Sequence, residues 1–193
     1  MKPLRLFIAT SLSEEVERYL GQIINDLRTH GGSIKWVKPS SIHVTLRFLG
    51  DSPETIVPQL SELIDDVTDE RSAVTTSLSK LGAFPNLRRP RVFWVGLGDG
   101  VEPLGEMAQL LEHGVRELGF EPDNKKFKPH LTLGRVRRGG GIGDVPRAVE
   151  SYRVDPTPVT FDVIRLYQST LTPAGPIYNC LHESKLGGER FGG

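Results

Sequence analysis

Two short stretches of this chain carry the residue types that could do chemistry: His43-Val44-Thr45-Leu46 and His130-Leu131-Thr132-Leu133. Each is a His-x-Thr set in an apolar, β-prone run, and the histidines, like the threonines, stand 87 positions apart. In an extended strand, residues i and i+2 project from the same face. Each stretch therefore offers an imidazole beside a hydroxyl, with Val44 or Leu131 turned into the opposite layer. If the two strands face each other, two imidazoles and two hydroxyls line one small cleft. Histidine gives or takes a proton near neutrality, and a threonine hydroxyl donates to a phosphoryl oxygen. The set suits proton transfer on either side of a phosphate. One copy alone would pass for ordinary strand packing. Two copies, each with a proline a few residues upstream and basic residues around it, mark a site.

Arg47 follows Thr45 by two residues, so plain alternation puts it on the face of His43 and Thr45 as a phosphate ligand. Arg135 follows Thr132 by three and falls out of phase unless the strand bulges or ends. Phe48 and Trp36 could stack on a base or pack in the core. Other chemistries fit less well. Neither motif contains an acidic residue at metal-ligand spacing. The Gly139–Gly143 stretch lacks the Lys-Ser/Thr that follows a phosphate-binding loop and reads as a mobile lid or spacer. There is no Gly-x-Ser-x-Gly elbow, and Cys180 has no activating neighbour in sequence. His30, His113 and His182 lack the motif context and read as structural or exposed.

The elements that must position these residues follow from periodicity. Residues 4–10 read as a strand, Ser11 and Glu14 stand at capping-box spacing, and Val16, Leu20, Ile23 and Leu27 form a helical stripe that ends at His30-Gly31-Gly32. After the first motif strand, Ser52-Pro53 opens a second helix carrying Ile56, Leu60, Leu63, Ile64 and Val67. A strand over 75–81 ends in a turn at 82–86. The pattern then repeats: a strand over 91–97, a helix with Leu104, Ala108, Leu111, Val115 and Leu118, and the second motif strand running to Val136. A short helix near 146–151 and strands near 159–169 and 177–183 complete the chain. From Phe7 to His43 is 36 residues and from Phe93 to His130 is 37, which suggests a duplication with those two phenylalanines in equivalent places. The expectation is an α+β fold: one bilobal domain over 1–193 with approximate halves 1–90 and 91–193. Two antiparallel sheets would lie about a pseudo-twofold axis, with helices outside and a central cleft.

Composition fits such a domain, with 37% apolar and 25% charged residues in 193. With 24 basic and 24 acidic residues the formal net charge is zero, which argues against a general nucleic-acid coat protein. The basic residues nevertheless gather near the motifs, as Lys35, Lys38 and Arg47 and as Lys125, Lys126, Lys128, Arg135, Arg137 and Arg138. Arg88-Arg89-Pro90-Arg91 forms a third group. A cleft flanked in this way could hold a short anionic ligand. No run of about 18 apolar residues is present, so no membrane helix is expected, and the N-terminal stretch reads as a strand rather than a signal peptide. A single cysteine, Cys180, makes no internal disulfide. A reducing cytoplasm and a monomer are the expected setting.

HVTLRFLG (His43 to Gly50) and KPHLTLGR (Lys128 to Arg135) resemble the paired signatures of the two-histidine (2H) phosphoesterase superfamily. Within it the likeness is to the bacterial and archaeal RNA 2′,3′-cyclic phosphodiesterases, also named 2′-5′ RNA ligases. RLFIA near the N-terminus, Trp36-Val37, GAFPNLRRPRVFWVGL (Gly82 to Leu97) and LYQSTLTPAGPIY (Leu166 to Tyr178) resemble that family too. The resemblance implies a bilobal α+β fold with no required metal or cofactor. Its implied partners are RNA ends carrying a 2′,3′-cyclic phosphate, tRNA fragments among them. It further implies that the 3′ oxygen leaves, giving a 2′-phosphate, and that the same site can reversibly join a cyclic end to a 5′-hydroxyl as a 2′-5′ linkage. In such a reaction one imidazole is base and the other acid. His43 as proton donor and His130 as proton acceptor is the preferred order, although the quasi-symmetry leaves either open. Thr45 and Thr132 would hold the non-bridging oxygens, with Arg47, Arg135 and Phe48 as further substrate contacts. Two alternatives stand beside this reading. One is a phosphodiesterase for small nucleotides, such as ADP-ribose cyclic phosphate or 2′-5′ oligoadenylate. The other is a non-catalytic RNA-end binding module, against which the intact histidines and threonines speak.

Overall fold

The computed structural model describes residues 3–69, 71–173 and 175–187. In chain order the elements are β1 (Leu4–Ser11), α1 (Glu14–Arg28), β2 (Ile34–Trp36), β3 (His43–Ser52), α2 (Val57–Thr68), β4 (Val74–Phe84), β5 (Val92–Leu97), α3 (Glu102–Glu117), β6 (His130–Val136), α4 (Val145–Ser151), β7 (Pro158–Phe161), β8 (Val163–Thr172) and β9 (Gly175–Lys185). The strands form two antiparallel sheets, one in the order β3-β1-β8-β9 and the other in the order β2-β6-β5-β4-β7. This is the expected α+β architecture. Helix α2 lies against β8 and β9, α3 packs on α2 and β3, and α1 packs on α4, which in turn lies against β4. The stripe of α1, Val16, Leu20, Ile23, Ile24 and Leu27, is buried. Each such aliphatic side chain contributes about 1.5–3 kcal/mol of burial.

The sheets draw on both halves of the chain. Strands β1 and β3 pair onward to β8 and β9, while β2 and β4 join β5, β6 and β7. Residues 1–90 and 91–193 therefore interleave, and neither half forms one sheet by itself. Four local expectations change. β4 runs on to Phe84, through the first part of the turn expected at 82–86. The cap of α1 is Ser13, whose Oγ accepts from the Val16 N–H, rather than Ser11. Ser52 ends β3, its hydroxyl donating to the Gly50 carbonyl, and one 3-10 turn at Glu54–Ile56 precedes α2. The stretch expected as one strand over 159–169 is divided at Asp162 into β7 and β8.

The glycine-rich stretch is a docked spacer rather than a free lid. The Ser33 N–H donates to the Gly141 carbonyl, the Arg137 N–H to Ser33, and the Asp144 N–H to His30. Gly143 has φ +56°, and a Cβ there would stand 2.5 Å from the His30 oxygen, so only glycine fits.

The feature that decides which side chains reach the cleft is a bulge in each motif strand. The β1–β3 register passes from Ala9↔Thr45 to Ile8↔Arg47, leaving Leu46 as the extra residue. The β5–β6 register passes from Trp94↔Thr132 to Phe93↔Gly134, leaving Leu133 as the extra residue. This pairing equates Ile8, rather than Phe7, with Phe93. An extra residue inverts the alternation beyond it. Arg47 consequently turns inward, 8% exposed, instead of sharing the face of His43 and Thr45. Its guanidinium donates to the carbonyls of Phe48 and Glu121. Its Nε lies 2.6 Å from Glu112 Oε2, an ion pair without hydrogen-bond alignment. Arg47 thus fastens β3 to α3 and the segment after it. Trp36 likewise belongs to the packing, stacked on the buried Phe93 at 6.3 Å.

Replacing Arg47 with leucine leaves the half-buried Glu112 carboxylate and the Glu121 carbonyl without their partner. Arg47→Leu should lower unfolding free energy by about 2–4 kcal/mol in urea titration. A variant as stable as the parent would show that the pair does not hold the helix.

Candidate active site

Strand β3 is the edge of the four-stranded sheet, and β6 lies one strand in from the edge of the other. The two strands touch where the sheets meet. His43 and His130 each open their strand, directly after a segment that proline constrains: the turn Pro39–Ser41 in one case and Lys128-Pro129 in the other. The ring nitrogen Nδ1 of His43 lies 2.8 Å from the Ser41 carbonyl oxygen, and Nδ1 of His130 lies 2.6 Å from that of Lys128. Both carbonyls come from two residues back. A carbonyl oxygen only accepts, so Nδ1 carries the proton in each ring and Nε2 is left as the reactive nitrogen.

An aromatic pair stands behind each imidazole, in a different geometry on the two sides. The Phe7 ring lies 5.0 Å from His43 and stacks on Tyr167 at 5.2 Å. The Phe84 ring meets His130 edge-on at 4.9 Å and lies 5.2 Å from Trp94. Gly82 makes room for that indole, since a Cβ there would stand 2.3 Å from it. Tyr178 of β9 closes a further side of His43, edge-on at 5.4 Å. These rings leave each imidazole little rotational freedom and lower the local dielectric.

Thr45 and Thr132 lie two residues beyond their histidines on the same strand faces, Thr45 exposed and Thr132 half-buried. The Leu133 bulge returns Arg135 to the face of His130 and Thr132, where it is exposed. Burial pushes the pKa of both histidines below the ordinary value, partly opposed by the carbonyl hydrogen bonds, and the positive charge of Arg135 lowers both further. The charge of His130 also lowers that of His43. Arg135 acts on the Tyr178 phenol as well, against a rise caused by burial. The two histidines, Arg135 and Tyr178 therefore lie close enough for the charge of Arg135 to act on all three, where β3 and β6 touch and Tyr178 meets His43. The Leu46 bulge brings Phe48 to the His43 face, directly across from Phe7, 42% exposed and with the Arg5 guanidinium 4.8 Å from its ring centre. Of the sequence candidates, His43, Thr45, Phe48, His130, Thr132 and Arg135 are at the cleft, and Arg47 is not.

Several cleft residues carried no motif of their own. Arg165 of β8 donates to Ser11, Tyr167 and Glu183, forming a polar cluster on the strand neighbouring β1. Phe7, Phe84, Trp94, Tyr167 and Tyr178 lie in segments that resemble the family, but nothing in those segments assigned them to the histidines. Tyr167, Tyr178 and Phe84 reach the histidines through strand exchange between the halves, which no local pattern encodes, whereas Phe7 and Trp94 come from strands of the same half as their histidine. The remaining histidines have other roles: His182 Nε2 reaches Asp65 of α2 at 2.8 Å, and His113 is exposed beside Glu117. Burial raises the pKa of the Cys180 thiol, which disfavours a thiolate there. Among the described residues no group of three or more His, Cys, Asp or Glu side chains is placed to hold a metal ion. No helix among them is long and apolar enough to cross a membrane.

The family model described as LigT like Phosphoesterase matches residues 11–94 and again 96–178, and each stretch contains one His-x-Thr. The chain belongs to the LigT-like phosphoesterase family. Among its relatives named RNA 2′,3′-cyclic phosphodiesterase, that of Archaeoglobus fulgidus is 36% identical, with 92% of this chain and 98% of that one covered. That of Aeropyrum pernix is 35% identical over 86% of this chain and 94% of its own. In structure, a crystallised protein of Thermus thermophilus superposes with a TM-score of 0.76 at 30% identity, covering 96% of this chain and 99% of that one. E. coli LigT complexed with 3′-AMP superposes with a TM-score of 0.74 at 25% identity and the same coverage.

The shared field of Arg135 gives a direct test. Both imidazoles should titrate below about 6.5 in NMR. Arg135→Gln, which removes a positive charge from the cleft, should move both midpoints upward. A shift of only one, or of neither, would place Arg135 away from the pair.

Proposed function

We propose that this member of the family is a metal-independent RNA 2′,3′-cyclic phosphodiesterase that opens the cyclic phosphate to a 2′-phosphate by two-histidine acid/base catalysis. The observation that carries the reading is the pair of imidazoles, each anchored through Nδ1 to a carbonyl two residues back and both within the field of Arg135. Relatives named RNA 2′,3′-cyclic phosphodiesterase support the substrate class, and the complex of E. coli LigT with 3′-AMP supports a ribonucleotide end as ligand. In the proposed reaction Nε2 of His130 takes a proton from water as the water oxygen bonds to phosphorus. The bond from phosphorus to the 3′ oxygen breaks, and that oxygen takes the proton of His43. Thr45, Thr132 and Arg135 hold the non-bridging oxygens while negative charge grows on them. Each proton partner contributes about 10²–10⁴ in rate. Phe48 offers an exposed ring for the base. With an RNA 5′-hydroxyl in place of water, the same attack at phosphorus and the same departure of the 3′ oxygen would form a 2′-5′ linkage.

The charge on His130 disfavours a proton on His43 in the unliganded protein. The donor role of His43 therefore requires the anionic phosphate between the rings to draw a proton back onto it. One charged and one neutral imidazole make kcat/KM bell-shaped in pH. Because burial and Arg135 depress both groups, the optimum should lie on the acid side of about 6.5. His43→Ala and His130→Ala should each lose about 10²-fold or more in kcat with the fold retained, and EDTA should leave the parent unchanged. Activity that EDTA abolishes and only a divalent ion restores, or near-full activity in either variant, would overturn the reading.

A further inference from the structure

At the end of β5 and β6 remote from His130, the surface forms an open cavity of about 580 Å³ whose lining includes Arg88, Arg89, Arg91, Arg137 and Arg138 and no acidic residue. These arginines come from two loops far apart in sequence. Asn86 shapes the first, its side-chain oxygen accepting from the N–H groups of Arg88 and Arg89. The second runs into the docked glycine-rich stretch, where Gly139 and Gly140 contribute backbone and no side chain to the wall. Five guanidinium groups gathered in a chain of zero net charge repel one another. A bound polyanion relieves that cost, and the planar guanidinium fork matches phosphate in particular.

The cavity is not the histidine cleft. His130 opens β6 and Arg137 directly follows its end, so the two are separated by roughly 20 Å along the strand. Basic residues mark the way between them. Arg135 lies on the cleft face, and Lys35 of β2 pairs directly across from it and shares that face. A mononucleotide held at the histidines does not reach the arginines, whereas a chain of several nucleotides does.

We infer that the arginine-lined cavity binds backbone phosphates of the RNA strand upstream of its cyclic end, making the protein selective for oligoribonucleotides over free cyclic nucleotides. This rests on the phosphodiesterase reading for the position of the 3′ end. The test compares the parent with Arg88→Glu/Arg137→Glu, two exposed loop positions, on a 2′,3′-cyclic mononucleotide and on a cyclic-ended oligoribonucleotide of about ten residues, a length within known single-strand site sizes. For the oligomer, kcat/KM should fall about tenfold or more. The salt dependence of its affinity should weaken by about 0.7 in log–log slope for each phosphate that the variant no longer neutralises. Turnover of the mononucleotide should stay unchanged, which also shows that the variant is folded. Equal losses on both substrates, or none on the oligomer, would overturn the inference. Fluorescence anisotropy of the oligomer reads the cavity independently of turnover. A parent that binds the oligomer more tightly than the variant but hydrolyses neither substrate would keep the cavity and overturn the phosphodiesterase reading. Equal binding by parent and variant would overturn the cavity.

Discussion

The Nδ1–H of His43 and of His130 each donates to the carbonyl oxygen two residues back in the chain, and the chemistry open to the cleft depends on those two bonds. An imidazole free to flip would present either nitrogen. One tied by Nδ1 presents Nε2 alone, at a fixed angle to its strand. The prolines at 39 and 129 fix the backbone that supplies the carbonyls. The rings of Phe7 and Phe84 brace the opposite sides. What the sheets add is the contact of β3 with β6, which brings together two imidazoles anchored in the same way.

The two sides match in frame and differ in charge. Equivalent bulges follow both motifs, at Leu46 and Leu133. The inward position after the bulge holds Arg47 on one side and Gly134 on the other, and the outward position holds Phe48 and Arg135. One arginine is consumed in packing, through Glu112 and Glu121. The other supplies a cation at the cleft. In the proposed reaction, a symmetric frame with one cation on one side would give the phosphate a preferred orientation, which a strictly symmetric site would not. Burial is the main cause of the lowered pKa of both histidines; Arg135 adds to it at both, and the charge on His130 adds to it at His43 alone.

Much of this was legible in the sequence because it is local. The two motifs, the apolar stripes of the helices and the β-prone runs are properties of neighbouring residues, and they pointed to the α+β class and four of the cleft side chains. Arg47 and Arg135 could not be placed by alternation, because one extra residue in each strand reverses the phase and a bulge at leucine leaves no signature. β2 is three residues long and carries no periodicity of its own. The aromatic braces are remote in sequence: Phe7 meets Tyr167 and Tyr178 only because β8 and β9 cross into the sheet of β1. The arginine cavity is legible as two basic runs but not as one place until β5 and β6 pair.

In the proposed reaction, an acid on one side of the phosphate and a base on the other, each fixed by its carbonyl, would permit in-line attack from a single direction, so that only one ribose oxygen could leave. Phosphorus NMR of the product formed from a 2′,3′-cyclic-ended RNA measures this outcome directly. The account predicts a single resonance, that of the 2′-phosphate. A mixture of 2′ and 3′ esters, or a pure 3′ ester, would contradict it.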